Sequence, residues 1–220
     1  SLVGSEMCIR DRCLTRVRTV GKIANLQQEL TKFPMSGKIG IGHTRWATHG
    51  EPATRNAHPH VCKQSVALVH NGIIENFEGL KHTQQSEEYL FTSDTDSEVI
   101  VHQLHKHLNQ GKDLLLAVQD TVDDLEGAYA LGVVYNAEPD KLVAARRGSP
   151  LVIGIGEEEN FIASDMAALL PVTNRFYILE EGDVAVLARD GVRIYDANRQ
   201  PVTRPVHESK LSSDAVERGE

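Results

Sequence analysis

Six short apolar runs in the second half of the chain restrict its fold more than any other feature. They are AYALGVVY (128–135), KLVAAR (141–146), PLVIGI (150–155), NFIAS (160–164), DVAVLA (183–188) and VRIY (192–195). Runs of this length, rich in β-branched residues and bounded by turn residues, are strands. Residues 136–140, with Glu138-Pro139, form one break and Arg147-Gly148-Ser149-Pro150 another. Asp190-Gly191 is a hairpin signal, because both central positions of a type I′ turn need φ > 0. Connections this short cannot hold crossover helices, so consecutive strands are expected to pair antiparallel. Two earlier strands, KIGIGH (38–43) and SVALVH (65–70), are almost wholly apolar or glycine apart from their ends. Strands covered on both faces read this way.

Helical spacing occurs ahead of the strand-rich half. Ile23, Leu26 and Leu30 fall on one narrow helical face that stops at Pro34. A longer helix is predicted over 97–110, with an Ile100, Leu104 and Leu108 stripe, capping-box spacing between Thr95 and Glu98, and a stop at Gly111. Asp113 can cap a further helix whose apolar positions Leu114, Ala117, Val118, Val122 and Leu125 end before Gly127. Residues 1–12 (SLVGSEMCIRDR) show neither period and read as a foreign adapter scar or a loose tail, with the domain proper beginning near Cys13. Stacked antiparallel sheets with helices outside follow, an α+β fold in one domain over 13–205.

Charge and composition remove several functions. Twenty-three basic against 31 acidic residues give a net charge of −8, which repels nucleic acid and anionic lipid. The longest apolar stretch, residues 114–118, is far below the ~18 that a membrane span needs. Cys8, Cys13 and Cys62 are odd in number and lack a CxxC spacing, which argues against a disulfide framework or a zinc knuckle and fits a reducing cytoplasm.

Polar chemistry concentrates between His43 and Asp96. His43-Thr44-Arg45-Trp46-Ala47-Thr48-His49-Gly50 and His70-Asn71-Gly72 each follow a strand, where loops converge. Arg45 offers a planar fork suited to a carboxylate, or a surface ion pair. Trp46 is the single tryptophan, a core residue or a lid. Asn71-Gly72 is a turn dipeptide or, in a site, an oxyanion hole made by the Asn71 amide and the Gly72 N–H. His43, His49, His58, His60 and His70 raise a metal reading, but Pro59 is expected to hold His58 and His60 extended and apart, and no HExxH motif supports a metal. Glu98, His102 and His105 share a helix face that reads as solvated. Gly154-Ile155-Gly156 reads as a turn, and Cys62 as a plain buried cysteine.

Several blocks in order carry a family resemblance: GIGHTRWATHGEP (40–52), NAHPH (56–60), HNGIIEN (70–76), SDTDSEVI (93–100), ARRGSPLVIGIG (145–156), ENFIASD (159–165) and LEEGDVA (179–185). From about Leu14 to Pro205 the chain resembles the glutaminase domain of the glucosamine-6-phosphate synthases, the isomerising glutamine:fructose-6-phosphate aminotransferases. Amidotransferases of purine and asparagine synthesis share some of these blocks, but HTRWATHG (43–50) is more similar to the glucosamine group. The resemblance implies an N-terminal-nucleophile hydrolase fold, two stacked antiparallel sheets between helical layers. It implies that Arg45, helped by Thr48 and His49, binds the α-carboxylate of L-glutamine, and that Asp96 holds the α-ammonium. It also implies that Asn71 and Gly72 form the oxyanion hole and that Trp46 belongs to the gate through which ammonia leaves. No cofactor and no metal are implied. Fructose 6-phosphate would be met only through isomerase domains after the linker that 206–220 resembles, in a homo-oligomer.

One departure stands out. The family's mature chain begins Cys-Gly-Ile-Val-Gly, whose terminal thiol attacks the amide while its own α-amine relays the proton. No such segment occurs in these residues. The first strands are therefore expected to be missing, and the 220 residues by themselves to be inactive. A non-catalytic glutamine-binding or interaction module is the alternative, with a metal hydrolase third.

Overall fold

The structure, a computed structural model, describes residues 3–10, 13–45 and 53–209, with only the backbone described over 3–10 and at Arg45. In chain order the strands are β1 (Val3–Arg10), β2 (Cys13–Val20), β3 (Ile39–Arg45), β4 (His60–Cys62), β5 (Val66–Ile74), β6 (Gly127–Tyr135) and β7 (Lys141–Arg147). They continue with β8 (Val152–Ile155), β9 (Asn160–Ala163), β10 (Arg175–Ile178), β11 (Val184–Ala188), β12 (Gly191–Tyr195), β13 (Pro201–Val202) and β14 (Val206–Glu208). The helices are α1 (Ile23–Lys32), α2 (Phe77–Ser86), α3 (Ser97–Asn109) and α4 (Leu114–Asp124).

Alternation along the central strands explains the layers. A seven-stranded sheet runs β13-β12-β11-β7-β6-β5-β4, antiparallel throughout. Val66, Leu68, Leu131, Val133, Val143, Ala145, Val184 and Val186 point to one face and pack on Ile100 and Leu104 of α3 and on Leu114 and Val118 of α4. Their chain neighbours Ala67, Ala130, Val134, Leu142, Ala144, Ala185 and Leu187 point to the other face and meet Ile41 and Ile153. Strands carrying apolar residues on both faces are buried on both. The second layer holds two smaller sheets, β14-β10-β8-β9 and β2-β1-β3. Leu169 and Leu170, just after a short 3-10 turn, cover Val152 and Phe176 of the four-stranded sheet, and α1 contacts β1 and β2.

Several expectations need correction. Residues 1–12 were expected to lack strand structure, yet Val3–Arg10 is the middle strand of its sheet, paired with both β2 and β3. Backbone pairing on two sides offsets the weak period of this segment. KIGIGH is not covered on both faces, because Ile41 is buried while Gly40 and Gly42 are exposed on the edge strand β3. No residue of α1 is buried. Antiparallel neighbours fail at the step from β7 to β8, where the chain crosses to the other layer. The β11–β12 hairpin pairs Ala188 with Gly191, so Arg189-Asp190 forms the two-residue loop and Gly191 belongs to the strand. Gly154 and Ile155 are strand, not turn, as residues of β8 paired with Phe161 and Asn160. Residues 206–208, assigned to a linker, pair with β10.

Helix ends show one success and one failure of cap reading. Asp113 caps α4, its Oδ1 accepting the Leu116 N–H at 2.8 Å. The box between Thr95 and Glu98 does not form. The buried Glu98 carboxylate instead accepts the N–H groups of Thr92 and Ser93 and both their hydroxyls, at 2.7 to 3.1 Å, so it anchors the preceding loop rather than lying in solvent.

Candidate functional site

Pairing of β4 with β5 ends at His60 opposite Leu68, which leaves the outer edge of β5 from Val69 onward without a partner strand among the described residues. Side chains cover that edge. Asp96, at the start of α3, accepts the Ile74 N–H on Oδ2 at 2.9 Å and is 7% exposed. Ser97 follows, its Oγ donating to Asp96 Oδ1 at 3.4 Å and hydrogen-bonded to His70 Nδ1 at 2.8 Å and His58 Nε2 at 3.1 Å. The His58 and His60 rings lie edge to face with centroids 4.8 Å apart, so the two histidines do not splay as an extended segment would place them. Arg16 and Arg18 of β2 hold this loop by donating to the carbonyls of Pro59 and Ala57, both at 3.1 Å. Asn56 clamps it from the other side through Asp94, accepting the Asp94 N–H at 2.9 Å and donating to Oδ2 at 3.1 Å.

Alternation along β5 divides the motif His70-Asn71-Gly72. His70 falls in phase with Val66 and Leu68 on the α3 side, whereas Asn71 follows Ala67 and Val69 into the space between the sheet layers. There it lines a cavity of about 260 Å³ with His43 and Thr44 of β3, Gly132 of β6, Leu151 and Ile162. Across it His43 Nε2 meets Asn71 Oδ1 at 2.7 Å. Gly72 has φ +136° and approaches β6 so closely that a Cβ would lie 2.0 Å from the Ala128 carbonyl oxygen. The Asn-Gly pair is therefore the interior of a nine-residue strand and no turn.

Burial keeps His60, His70 and His102 neutral. Burial pushes His60 down to about 3, with Arg18 and Arg16 adding repulsion, and pushes His70 down to about 4 against the attraction of Asp96. Burial also holds His102 below its ordinary value. Cys62 lies 3.3 Å from His102 Nδ1, its thiol pushed up to about 12 by burial, so the pair is an uncharged hydrogen bond and no nucleophile. Among the described residues no group of three or more His, Cys, Asp or Glu side chains could hold a metal ion. No helix among them is long and apolar enough to cross a membrane.

A pH dependence follows. Unfolded histidines titrate near 6.5, so below that pH the unfolded chain binds protons that His60 and His70 refuse in the folded one. The stability from keeping both neutral is fully present above about pH 6.5. It falls progressively with decreasing pH until the folded values near 4 and 3 are reached. Urea midpoints at pH 7.5 and 5.5 measure it: the lower pH should show the lower midpoint, and equal midpoints would contradict neutral burial.

Of the residues that the resemblance assigned to a site, Asn71 lines the cavity, and Gly72 and Asp96 lie within three residues of it along β5 or bonded to β5. Arg45 ends β3 two residues after His43. Trp46, Thr48 and His49 lie outside the described residues. Ser97 had no site role in the sequence reading, and His43 entered it only as one of five histidines of a metal reading and by its place at the end of a strand.

A family model described as the glutamine amidotransferase domain matches residues 20–204. The chain belongs to the glutamine amidotransferase domain family. This amidotransferase domain is 52% identical over 217 residues to a glutamine--fructose-6-phosphate aminotransferase [isomerizing] of Pseudomonas syringae pv. tomato, covering 99% of the chain and 36% of that relative. It is 52% identical over 207 residues to the protein of the same name from Pseudomonas aeruginosa, covering 94% and 34%. The chain thus spans about a third of the length of these curated relatives. Among solved structures, a glutamine phosphoribosylpyrophosphate amidotransferase from B. subtilis superposes with TM-score 0.75 at 22% identity, covering 89% of the chain and 43% of the other. A class-II glutamine aminotransferase domain protein from Silicibacter pomeroyi does so with TM-score 0.62 at 16% identity, covering 89% and 90%. The amidotransferase domain therefore has the α+β, N-terminal-nucleophile type of fold that its blocks imply.

Proposed function

We propose that this domain is the glutamine-hydrolysing part of an isomerising glutamine:fructose-6-phosphate aminotransferase, releasing ammonia that is delivered to a sugar phosphate bound elsewhere in a longer protein. One observation carries most of the reading: a cavity between the two sheet layers, lined by Asn71, inside a domain of this family. Attack of a thiolate on the γ-amide carbon makes a tetrahedral oxyanion. Its collapse expels ammonia, and water then cleaves the thioester to glutamate. The Asn71 amide and the Gly72 N–H are the donors proposed for that oxyanion. Arg45, with Thr48 and His49, is proposed to pair with the α-carboxylate, Asp96 with the α-ammonium, and Trp46 to close the exit for ammonia. Among the described residues Cys13 is exposed and Cys62 is buried against His102, so neither supplies the thiolate in the cavity.

The reading is tested on the full-length gene product supplied with glutamine and fructose 6-phosphate. Glutamate and glucosamine 6-phosphate should form in equal amounts, and Arg45→Ala should lower kcat/KM for glutamine. Aminated product from phosphoribosyl pyrophosphate in place of fructose 6-phosphate would refute the assignment, and unaltered glutamine kinetics would remove Arg45 from the site. These 220 residues alone should release no glutamate from glutamine. Robust release blocked by iodoacetamide would show that one of Cys8, Cys13 and Cys62 serves as nucleophile after all.

A further inference from the structure

A primary amide can serve an oxyanion only with its nitrogen end. Turned over, Asn71 would aim an electron-rich oxygen at the developing charge, and the two orientations differ by a rotation of the side-chain amide alone. Something in the protein must choose between them. The Asn71 Oδ1 end is taken by His43 Nε2 at 2.7 Å, and Asn71 Nδ2 has no partner among the described residues. A ring nitrogen that carries a hydrogen can meet Oδ1 but would clash with the hydrogens on Nδ2. The tautomer of His43 with hydrogen on Nε2 therefore selects the amide orientation that a hydrolase needs.

His43 is in turn braced from the far side of the sheet. Its ring lies on that of His58, centroids 4.2 Å apart at 37°. Buried His58 is held through Nε2 by buried Ser97 at the start of α3, and the same Ser97 contacts Asp96. A continuous set of contacts thus connects the amide of Asn71 to the carboxylate of Asp96 around the open edge of β5.

We propose that His43, braced by His58 and Ser97, is the positioning residue that turns the Asn71 carboxamide so that Nδ2 faces the cavity. The inference rests on the proposed role of Asn71, and the experiment separates the two.

Glutamine hydrolysis by the full-length protein is measured for His43→Leu, His43→Gln, Asn71→Ala and the double variant His43→Leu/Asn71→Ala. His43→Leu should lower kcat by about 10-fold to 100-fold, the range typical of an orienting partner, with KM nearly unchanged. His43→Gln, whose amide N–H can occupy the place of Nε2–H, should recover most of that loss. On the Asn71→Ala background His43→Leu should cost nothing further, because the group it orients is gone. A simple packing role would instead multiply the two losses, and that result overturns the proposal, as does an unchanged kcat in His43→Leu. A kcat untouched by Asn71→Ala overturns the role of Asn71 and this inference with it. If His43→Leu does not fold, His43→Asn takes its place, since its shorter amide falls short of Asn71. Equal activity of His43→Asn and His43→Gln would then count against the proposal.

Discussion

Asn71→Ala lowers kcat for glutamine hydrolysis by about 10² to 10³ and moves KM by no more than a few-fold, the loss measured when one preorganised oxyanion donor is removed. The effect falls on kcat because the donor meets a charge that exists only once the carbonyl has been attacked. Asn71 already lines the cavity with Oδ1 held at 2.7 Å by His43, so little reorganisation is needed at the moment of reaction. Steady-state assay of glutamate release checks it. A rise in KM alone would show that Asn71 grips ground-state substrate and that the oxyanion is stabilised elsewhere.

Gly72→Ala is the most damaging single change expected for stability. At φ +136° an L residue is strained, and the new Cβ would sit 2.0 Å from the Ala128 oxygen and 2.7 Å from its carbonyl carbon, both backbone atoms that cannot swing aside. Relief requires opening the β5–β6 ladder where Gly72 pairs with Tyr129, the pairing that ties this part of β5 to the sheet. The expected loss is about 3 kcal/mol or more. Gly79 in α2 supplies the control: a Cβ there meets nothing within 4 Å, and Gly79→Ala should stabilise by about 0.5 to 1 kcal/mol through helix propensity. Urea unfolding of the two variants should move in opposite directions.

Segments with a strong period could be read directly. The stripe Ile100, Leu104 and Leu108 lies on the sheet as α3, and the alternating runs of β6, β7 and β11 serve both faces. What escaped lacked such a signal. Helix α2 (FEGLKHTQQS) has few apolar residues and only Gln84 buried, so its helicity depends on tertiary contacts, including Gln84 donating to the Val99 carbonyl at 3.0 Å. Strands β1 and β2 contain arginine and glutamate, and the pairing of β1 with β3 is a long-range fact invisible to a local window.

The site was legible in pieces. HTRWATHG and HNG marked it as blocks, yet nothing in their spacing placed Asn71 and His70 on opposite faces of one strand, beyond the point where its outer neighbour stops pairing. Ser97 bonds residues 27 and 39 positions earlier, and His43 bonds Asn71 across 28 positions. Convergence of that kind depends on where β4 stops pairing. The buried role of Glu98 was misread for a related reason: a carboxylate on a helix face looks solvated until the loop it anchors is in view.

The central claim is that the cavity beside Asn71 is where the amide of glutamine is cleaved. A crystal structure of the full-length protein with the product L-glutamate tests it most directly. The account predicts glutamate in that cavity, its side-chain carboxylate placing one oxygen about 2.7 to 3.1 Å from Asn71 Nδ2, the distance of an oxyanion donor, while Oδ1 stays on His43. Glutamate ordered at a place that does not touch Asn71, with the cavity holding only water, would contradict it.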